Sequence, residues 1–125
     1  MSNRILSVDD DPMIRNLVRA ILEASDYEVL SAACGQEAID ILDQQERPLD
    51  LKCIILDVQM PDMSGFDVLT RLKLHSDTQD IPVIMLTCQS SPEDFMQGYN
   101  CGANYYITKP FTREQLIYGI DMATS

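Results

Sequence analysis

The sequence predicts an α/β fold in which one parallel sheet carries helices on both faces, and three observations predict it. Short apolar runs alternate, five times along the chain, with stretches whose apolar residues recur at helical spacing; successive βαβ units produce that alternation. The third run, Cys53-Ile54-Ile55-Leu56, does not alternate with polar residues, as expected of a strand covered on both faces. A length of 125 residues suits one domain, and 46% hydrophobic content supplies its core. No linker, low-complexity stretch or repeat interrupts residues 1–125, which are read as a single domain.

The first strand is Arg4 to Val8. Asp11 as N-cap and Pro12 at the first helical position then open a helix whose Ile14, Leu17, Val18, Ile21 and Leu22 line one face. Tyr27 to Ala32 is the second strand, and a helix from about Gln36 to Gln45 buries Ala38, Ile41 and Leu42. Arg47-Pro48-Leu49-Asp50 closes that helix before the strand Leu51 to Leu56, which stops at Asp57. Gly65 begins the third helix, with Val68, Leu69 and Leu72 inward, and Ile81 to Leu86 is the fourth strand, its Pro82 read as tolerated at a strand start. Ser91-Pro92-Glu93-Asp94 combines an N-cap serine, a first-turn proline and an acid three residues after the cap, so a fourth helix starts there and stops near Gly102. Asn104 to Thr108 is the last strand. The capping box Thr112-Arg113-Glu114-Gln115 launches a final helix with Leu116, Ile117 and Ile120 inward.

Composition removes several function classes. Nine Lys and Arg against 20 Asp and Glu give a net charge of −11, which repels free nucleic acid and anionic membrane, so partners should bring basic patches or cations. Cys34, Cys53, Cys88 and Cys101 form no CxxC pair, which suits a reduced cytoplasmic protein rather than a disulfide scaffold or a zinc site. The N-terminus lacks the apolar core and cleavage site of a signal peptide, and no apolar run approaches the roughly 18 residues a membrane span requires.

In an open parallel sheet, ligands bind outside the carboxyl ends of the strands. The residues just past those ends are Asp9-Asp10, Asp57, Thr87 and Lys109. If the first and third strands are neighbours, three carboxylates meet in one crevice beside a hydroxyl and an ammonium. Two unit charges about 4 Å apart cost on the order of 4 kcal/mol at an effective dielectric near 20, and one lysine does not neutralise three acids. Either some carboxyls keep their protons or a divalent cation sits among them; few carboxylates with room for waters and a phosphoryl oxygen suit Mg²⁺ better than Ca²⁺.

Val8-Asp9-Asp10-Asp11, the run Asp57-Val58-Gln59-Met60-Pro61-Asp62-Met63-Ser64-Gly65, Leu86-Thr87 and Lys109-Pro110-Phe111 resemble the receiver domain of two-component response regulators, and the likeness runs the whole chain. The resemblance implies a single-domain, flavodoxin-like three-layer sandwich with five parallel strands in the order 2-1-3-4-5 and five helices. It implies that Asp57 is the phosphoacceptor, that Asp10, Asp57 and the backbone carbonyl of Gln59 hold Mg²⁺ with Asp9 acting through water, and that Lys109 and Thr87 contact the phosphoryl oxygens. Tyr106 would be the aromatic that changes rotamer as Thr87 moves inward, and the Lys109-Pro110 peptide would be cis. A sensor histidine kinase or phosphotransfer protein would supply the phosphoryl group. A downstream protein, or a second copy, would read the state through about residues 91–122, with no direct contact to nucleic acid or membrane. Such a domain catalyses only its own phosphorylation and slow dephosphorylation.

Taken singly, each residue has a plainer reading. Asp-Asp-Asp-Pro is also what an acidic N-cap produces, Asp57 before turn formers is a turn signal, Thr87 is an ordinary strand end, and Lys109 an ordinary solvated lysine. The case is the coincidence of four strand ends out of five carrying, in order, what one mechanism requires. A Mg²⁺-dependent phosphohydrolase of the dehalogenase kind would need a second acid two residues after its nucleophile, where this chain has Gln59. A flavodoxin-like cofactor binder would need an anion cradle where Asp9-Asp10-Asp11 stands. A pseudo-receiver, binding partners without phosphorylation, would lack part of the acid set. The one histidine, His75, ends a helix in a polar stretch and carries neither phosphotransfer nor a Ser-His-Asp site. Gln59 and Gln89 occupy positions that tune acyl-phosphate lifetime within the family, and Cys88 stands where it usually has Ala or Gly. The alternative to a stand-alone receiver is the receiver part of a longer regulator with a DNA-binding or enzymatic output.

Overall fold

The structure, a computed structural model, describes residues 3–46, 49–87 and 102–125. In chain order the elements are β1 (Arg4–Val8), α1 (Pro12–Ala24), β2 (Glu28–Ala32), α2 (Gly35–Gln44), β3 (Cys53–Asp57), α3 (Gly65–Leu74), β4 (Val83–Thr87), β5 (Tyr105–Thr108) and α4 (Arg113–Thr124). The helix expected from Ser91 lies outside the described residues. All four pairings are parallel, and the strands lie in the order β2-β1-β3-β4-β5.

Alternation of side chains along each strand splits the core into two layers. Leu6, Val8, Ile54, Leu56, Val83 and Met85 face α2 and α3, where they meet Ala38, Leu42, Val68, Leu69 and Leu72. Ile5, Cys53, Ile55, Ile84 and Leu86 face the opposite way, onto Val18 and Leu22 of α1 and Leu116 and Ile120 of α4. Each of these leucines and isoleucines contributes about 2 kcal/mol by leaving water, so the three inner strands are the rigid platform on which the loops stand.

Helix starts follow from local chemistry. Met13 N donates to Asp11 Oδ1 at 2.9 Å with Pro12 in the first turn. Ser64 and Asp67 form a capping box on α3, and Thr112 and Gln115 form the expected one on α4.

Two expectations are corrected. Pro82 precedes β4 instead of belonging to it; β4 is internal, and a proline has no N–H to give an internal strand, although its carbonyl accepts from Ile54 N at 2.9 Å. Leu17 is 43% exposed, because it lies roughly a quarter turn from the centre of the stripe formed by Ile14, Val18, Ile21 and Leu22 at 100° per residue. Strand ends also shift by one or two residues. Asn104, expected in the last strand, precedes β5, yet its Oδ1 accepts from Val83 N at 3.0 Å and its N donates to Val83 O at 2.9 Å.

Candidate functional site

Register alone gathers the polar strand ends. Val8 stands opposite Leu56, so Asp9 and Asp57 are the next residues on adjacent strands. Asp57 pairs with Leu86 and Thr87 with Thr108, which brings Thr87 and then Lys109 to the same edge. Asp57 and Thr87, expected just past their strands, are the last residues of β3 and β4. Pairing runs that far because Val58 N donates to Leu86 O at 2.9 Å and Lys109 N donates to Thr87 O at 2.7 Å. Both side chains are thereby buried, Asp57 at 5% exposure and Thr87 at 2%, and Asp9 is likewise 2% exposed.

Lys109 joins two of the acids. Its Nζ donates to Asp9 Oδ2 at 2.9 Å and to Asp57 Oδ1 at 3.1 Å, and the peptide that follows it, Lys109-Pro110, is cis. Asp9 is held on every side: Oδ1 accepts from Asp11 N at 3.0 Å, and its carbonyl accepts from Arg15 Nη1 at 2.7 Å. Burial, reinforced by the neighbouring Asp9 charge, pushes the Asp57 carboxyl up to about 6, against the opposing pull of Lys109 and of the Gln59 amide. Burial acts to lower Lys109, but the hydrogen bond and charge of Asp9, with those of Asp57, outweigh it and hold the ammonium above its ordinary value.

Asp9, Asp10 and Asp57 present carboxylate oxygens that all lie within 4.8 Å of one another, with Asp10 the exposed member. Three acids against one ammonium leave two negative charges, the complement of a divalent cation. The donors are all hard oxygens with no histidine or thiolate among them, so the set fits Mg²⁺ and not a soft metal.

Gln59 is exposed in the loop between β3 and α3. Tyr106, half-buried on β5, packs against the α2/α3 layer, while Tyr105 faces the other layer and meets the edge of Tyr118 with ring centroids 6.3 Å apart. His75 is the exposed C-cap of α3, apart from the acids. Cys34 and Cys53 are free thiols; Cys88 and Gln89 lie outside the described residues.

Three contributors escaped sequence reading. Arg15 is one more charged residue on a helix until its guanidinium meets the Asp9 carbonyl. Gly65 reads as a turn former, yet a Cβ there would collide with the main-chain oxygen of Asp57 and approach Val58 Cα at 2.9 Å, so the helix start is pressed against the strand end. Asp62 also reads as a turn former, but its carboxylate accepts from the amides of Gly35 and Gln36. The Gln36 amide above all holds this carboxyl below the usual range. The only signal for Asp62 was its residue type, since its partners lie in a different loop.

A family model for the response regulator receiver domain matches residues 5–121. The transcriptional regulatory protein SrrA of Staphylococcus aureus is 38% identical over 117 residues, covering 94% of this chain and 46% of SrrA. The chain thus spans about half the length of the curated relatives it matches. Among solved structures, chemotaxis protein CheY4 of Vibrio cholerae superposes with a TM-score of 0.90 at 33% identity, covering 98% of this chain and 99% of CheY4. The receiver domain of a signal transduction histidine kinase from Syntrophus aciditrophicus gives a TM-score of 0.85 at 34% identity, covering 97% of this chain and 89% of the other.

Proposed function

The chain belongs to the response regulator receiver family of two-component systems, and on that premise we propose that Asp57 accepts a phosphoryl group in a Mg²⁺-dependent step that switches a partner-binding surface. The observation that carries this reading is the junction of Asp9, Asp10, Asp57 and Lys109 at the carboxyl edge of the sheet. A carboxylate oxygen of Asp57 attacks the phosphorus of a phosphohistidine on a sensor kinase or phosphotransfer protein. The new O–P bond forms as the N–P bond breaks, the bonding pair returns to the ring nitrogen, and the imidazole leaves neutral because its other ring nitrogen already carries a proton. Water later cleaves the acyl phosphate to the carboxylate and inorganic phosphate.

Phosphoryl transfer asks a protein mainly for positioning and charge compensation. β3 is buried along its whole length, so Asp57 is presented from a rigid strand. Lys109 offsets charge on the nucleophile and on the incoming oxygens. Asp10, Asp57 and the Gln59 carbonyl would hold Mg²⁺, with Asp9 reaching it through water; the bound ion supplies positive charge beside the phosphoryl oxygens. Thr87 donates its hydroxyl to the phosphoryl group and Tyr106 follows it inward, which alters the face formed by about residues 91–122, whose first part lies outside the described residues. Chemistry is confined to the domain's own modification and reversal, as is typical of the family.

The net charge of −11 opposes direct contact of this chain with nucleic acid, and among the described residues no helix is long and apolar enough to cross a membrane. We place it in the cytoplasm. CheY4, 99% of which this chain covers, favours a stand-alone receiver acting by protein contact. SrrA, of which it covers 46%, favours the receiver part of a longer regulator with a separate output domain; the mass of the protein isolated from its source decides between them. Incubation with acetyl phosphate and Mg²⁺ should add one acid-stable, base-labile phosphoryl group that is absent from Asp57→Asn. A label persisting in that variant would defeat the assignment.

A further inference from the structure

α2 starts without a cap of its own. Its N-cap residue, Cys34, makes no side-chain hydrogen bond to the helix. The first-turn amides are met instead from the β3–α3 loop: Asp62 Oδ1 accepts from Gly35 N at 3.2 Å, and Oδ2 accepts from Gln36 N at 2.8 Å. The next loop residue covers the same point, since a Cβ on Gly35 would stand 2.5 Å from Met63 Cγ and 2.9 Å from Met63 Sδ. α2 is a firm post, because Ala38 and Leu42 are buried in the core.

The loop is also tied at both of its ends. Gly65 N donates to Val58 O at 2.7 Å, and the Ser64 capping box fixes the exit into α3. Between Val58 and Ser64, Asp62 makes the polar contacts that reach across to another element. Gln59 sits inside this span, two residues from Asp57. The Gln59 amide already acts on the Asp57 carboxylate, while its carbonyl begins the stretch that runs through Met60 and Pro61 to the anchor at Asp62, so that side of Gln59 is held at Gly35 and Gln36.

We infer that Asp62 is a positioning residue for the metal site: by clamping the β3–α3 loop to the N-terminus of α2, it holds the Gln59 carbonyl where a Mg²⁺ ligand is needed. This rests on the proposed function above and adds to it a residue outside the acid cluster, supplied because α2 lacks a local cap. Partners that orient metal ligands typically matter by about 10-fold or more in affinity.

The test is calorimetric titration of Mg²⁺ into wild type, Asp62→Ala and Asp62→Asn in roughly 0.5 M KCl, where loss of one exposed charge is largely screened. Asp62→Ala should bind Mg²⁺ about 10-fold more weakly, and its Gly35 and Gln36 amides should exchange faster in the metal-free protein. Asp62→Asn keeps one acceptor oxygen for Gln36 N and should recover part of the affinity; it also serves if the alanine variant does not fold. Wild-type affinity in Asp62→Ala, equal weakening in both variants, or unchanged exchange at Gly35 and Gln36 would overturn the clamp while leaving the proposed function standing. A wild-type protein that takes up no Mg²⁺ would instead overturn the proposed function, and this role with it.

Discussion

Lys109 Nζ lies 3.1 Å from Asp57 Oδ1, although Asp57 ends β3 and Lys109 follows β5, strands that are not neighbours: β4 runs between them. The ammonium spans the gap across the top of the sheet and reaches Asp9 on β1's side as well, at 2.9 Å. It is the cation that lets two buried carboxylates share one edge.

Removing that cation leaves buried charge behind. Lys109→Ala should lose about 3 kcal/mol of stability at pH 7, and less at pH 5, where Asp57 takes up a proton. Acetyl phosphate labelling should fall by about 100-fold, the scale of losing one charge-stabilising donor. Urea unfolding at the two pH values and a labelling time course measure both; undiminished labelling would exclude Lys109 from the reaction.

Asp57 sets a pH dependence of definite sign. Its carboxyl is raised from 3.8 to about 6 by folding, so the native state holds the proton more tightly than the unfolded chain. The stability this group contributes is present below its ordinary value and is lost as pH rises through about 6. In EDTA, Asp57→Asn should therefore melt higher than wild type at pH 7, and the difference should shrink at pH 5. An equal difference at both pH values would remove Asp57 as the titrating group.

Mg²⁺ should reverse the penalty of the clustered acids. At about 100 times its dissociation constant the ion should stabilise the protein by about 2.7 kcal/mol at pH 7, with a smaller effect at pH 5 because protons compete for the same oxygens. Asp10→Ala should lose most of this gain, while its metal-free melting temperature should be no lower than that of wild type, because the exposed Asp10 carboxylate adds like charge to Asp9 and Asp57. A full Mg²⁺ shift in that variant would take Asp10 out of the site.

Gly65 is constrained by contact, not by an unusual backbone angle. Gly65→Ala drives a methyl against the Asp57 main-chain oxygen and Val58 Cα, which should cost about 1–3 kcal/mol and slow labelling at Asp57. Thermal melting and the same labelling assay check it. Wild-type values in both would show that the turn opens without disturbing β3.

The sequence by itself determined the order of the described strands and helices, the two-sided burial of β3, and that Asp9, Asp10, Asp57, Thr87 and Lys109 stand at or just past strand ends, because side-chain period and strand-end position are local properties. It also carried enough family likeness to place β1 beside β3. Only the tertiary structure decided that Val8 stands opposite Leu56, that Lys109 bonds Asp9 and Asp57 together, that Arg15 meets the Asp9 carbonyl and Gly65 abuts the Asp57 main chain, and that Asp62 accepts from the first amides of α2. The strand register and the contacts of Lys109 and Asp62 join segments tens of residues apart, where no periodicity speaks, and those of Arg15 and Gly65, six and eight residues away, follow from how a helix start folds back on a strand end. Leu17 and Pro82 mark the same boundary from the other side: apolarity and strand propensity are written in the chain, but which edge of a stripe meets the core, and where an internal strand can begin, are settled by what packs and pairs against them.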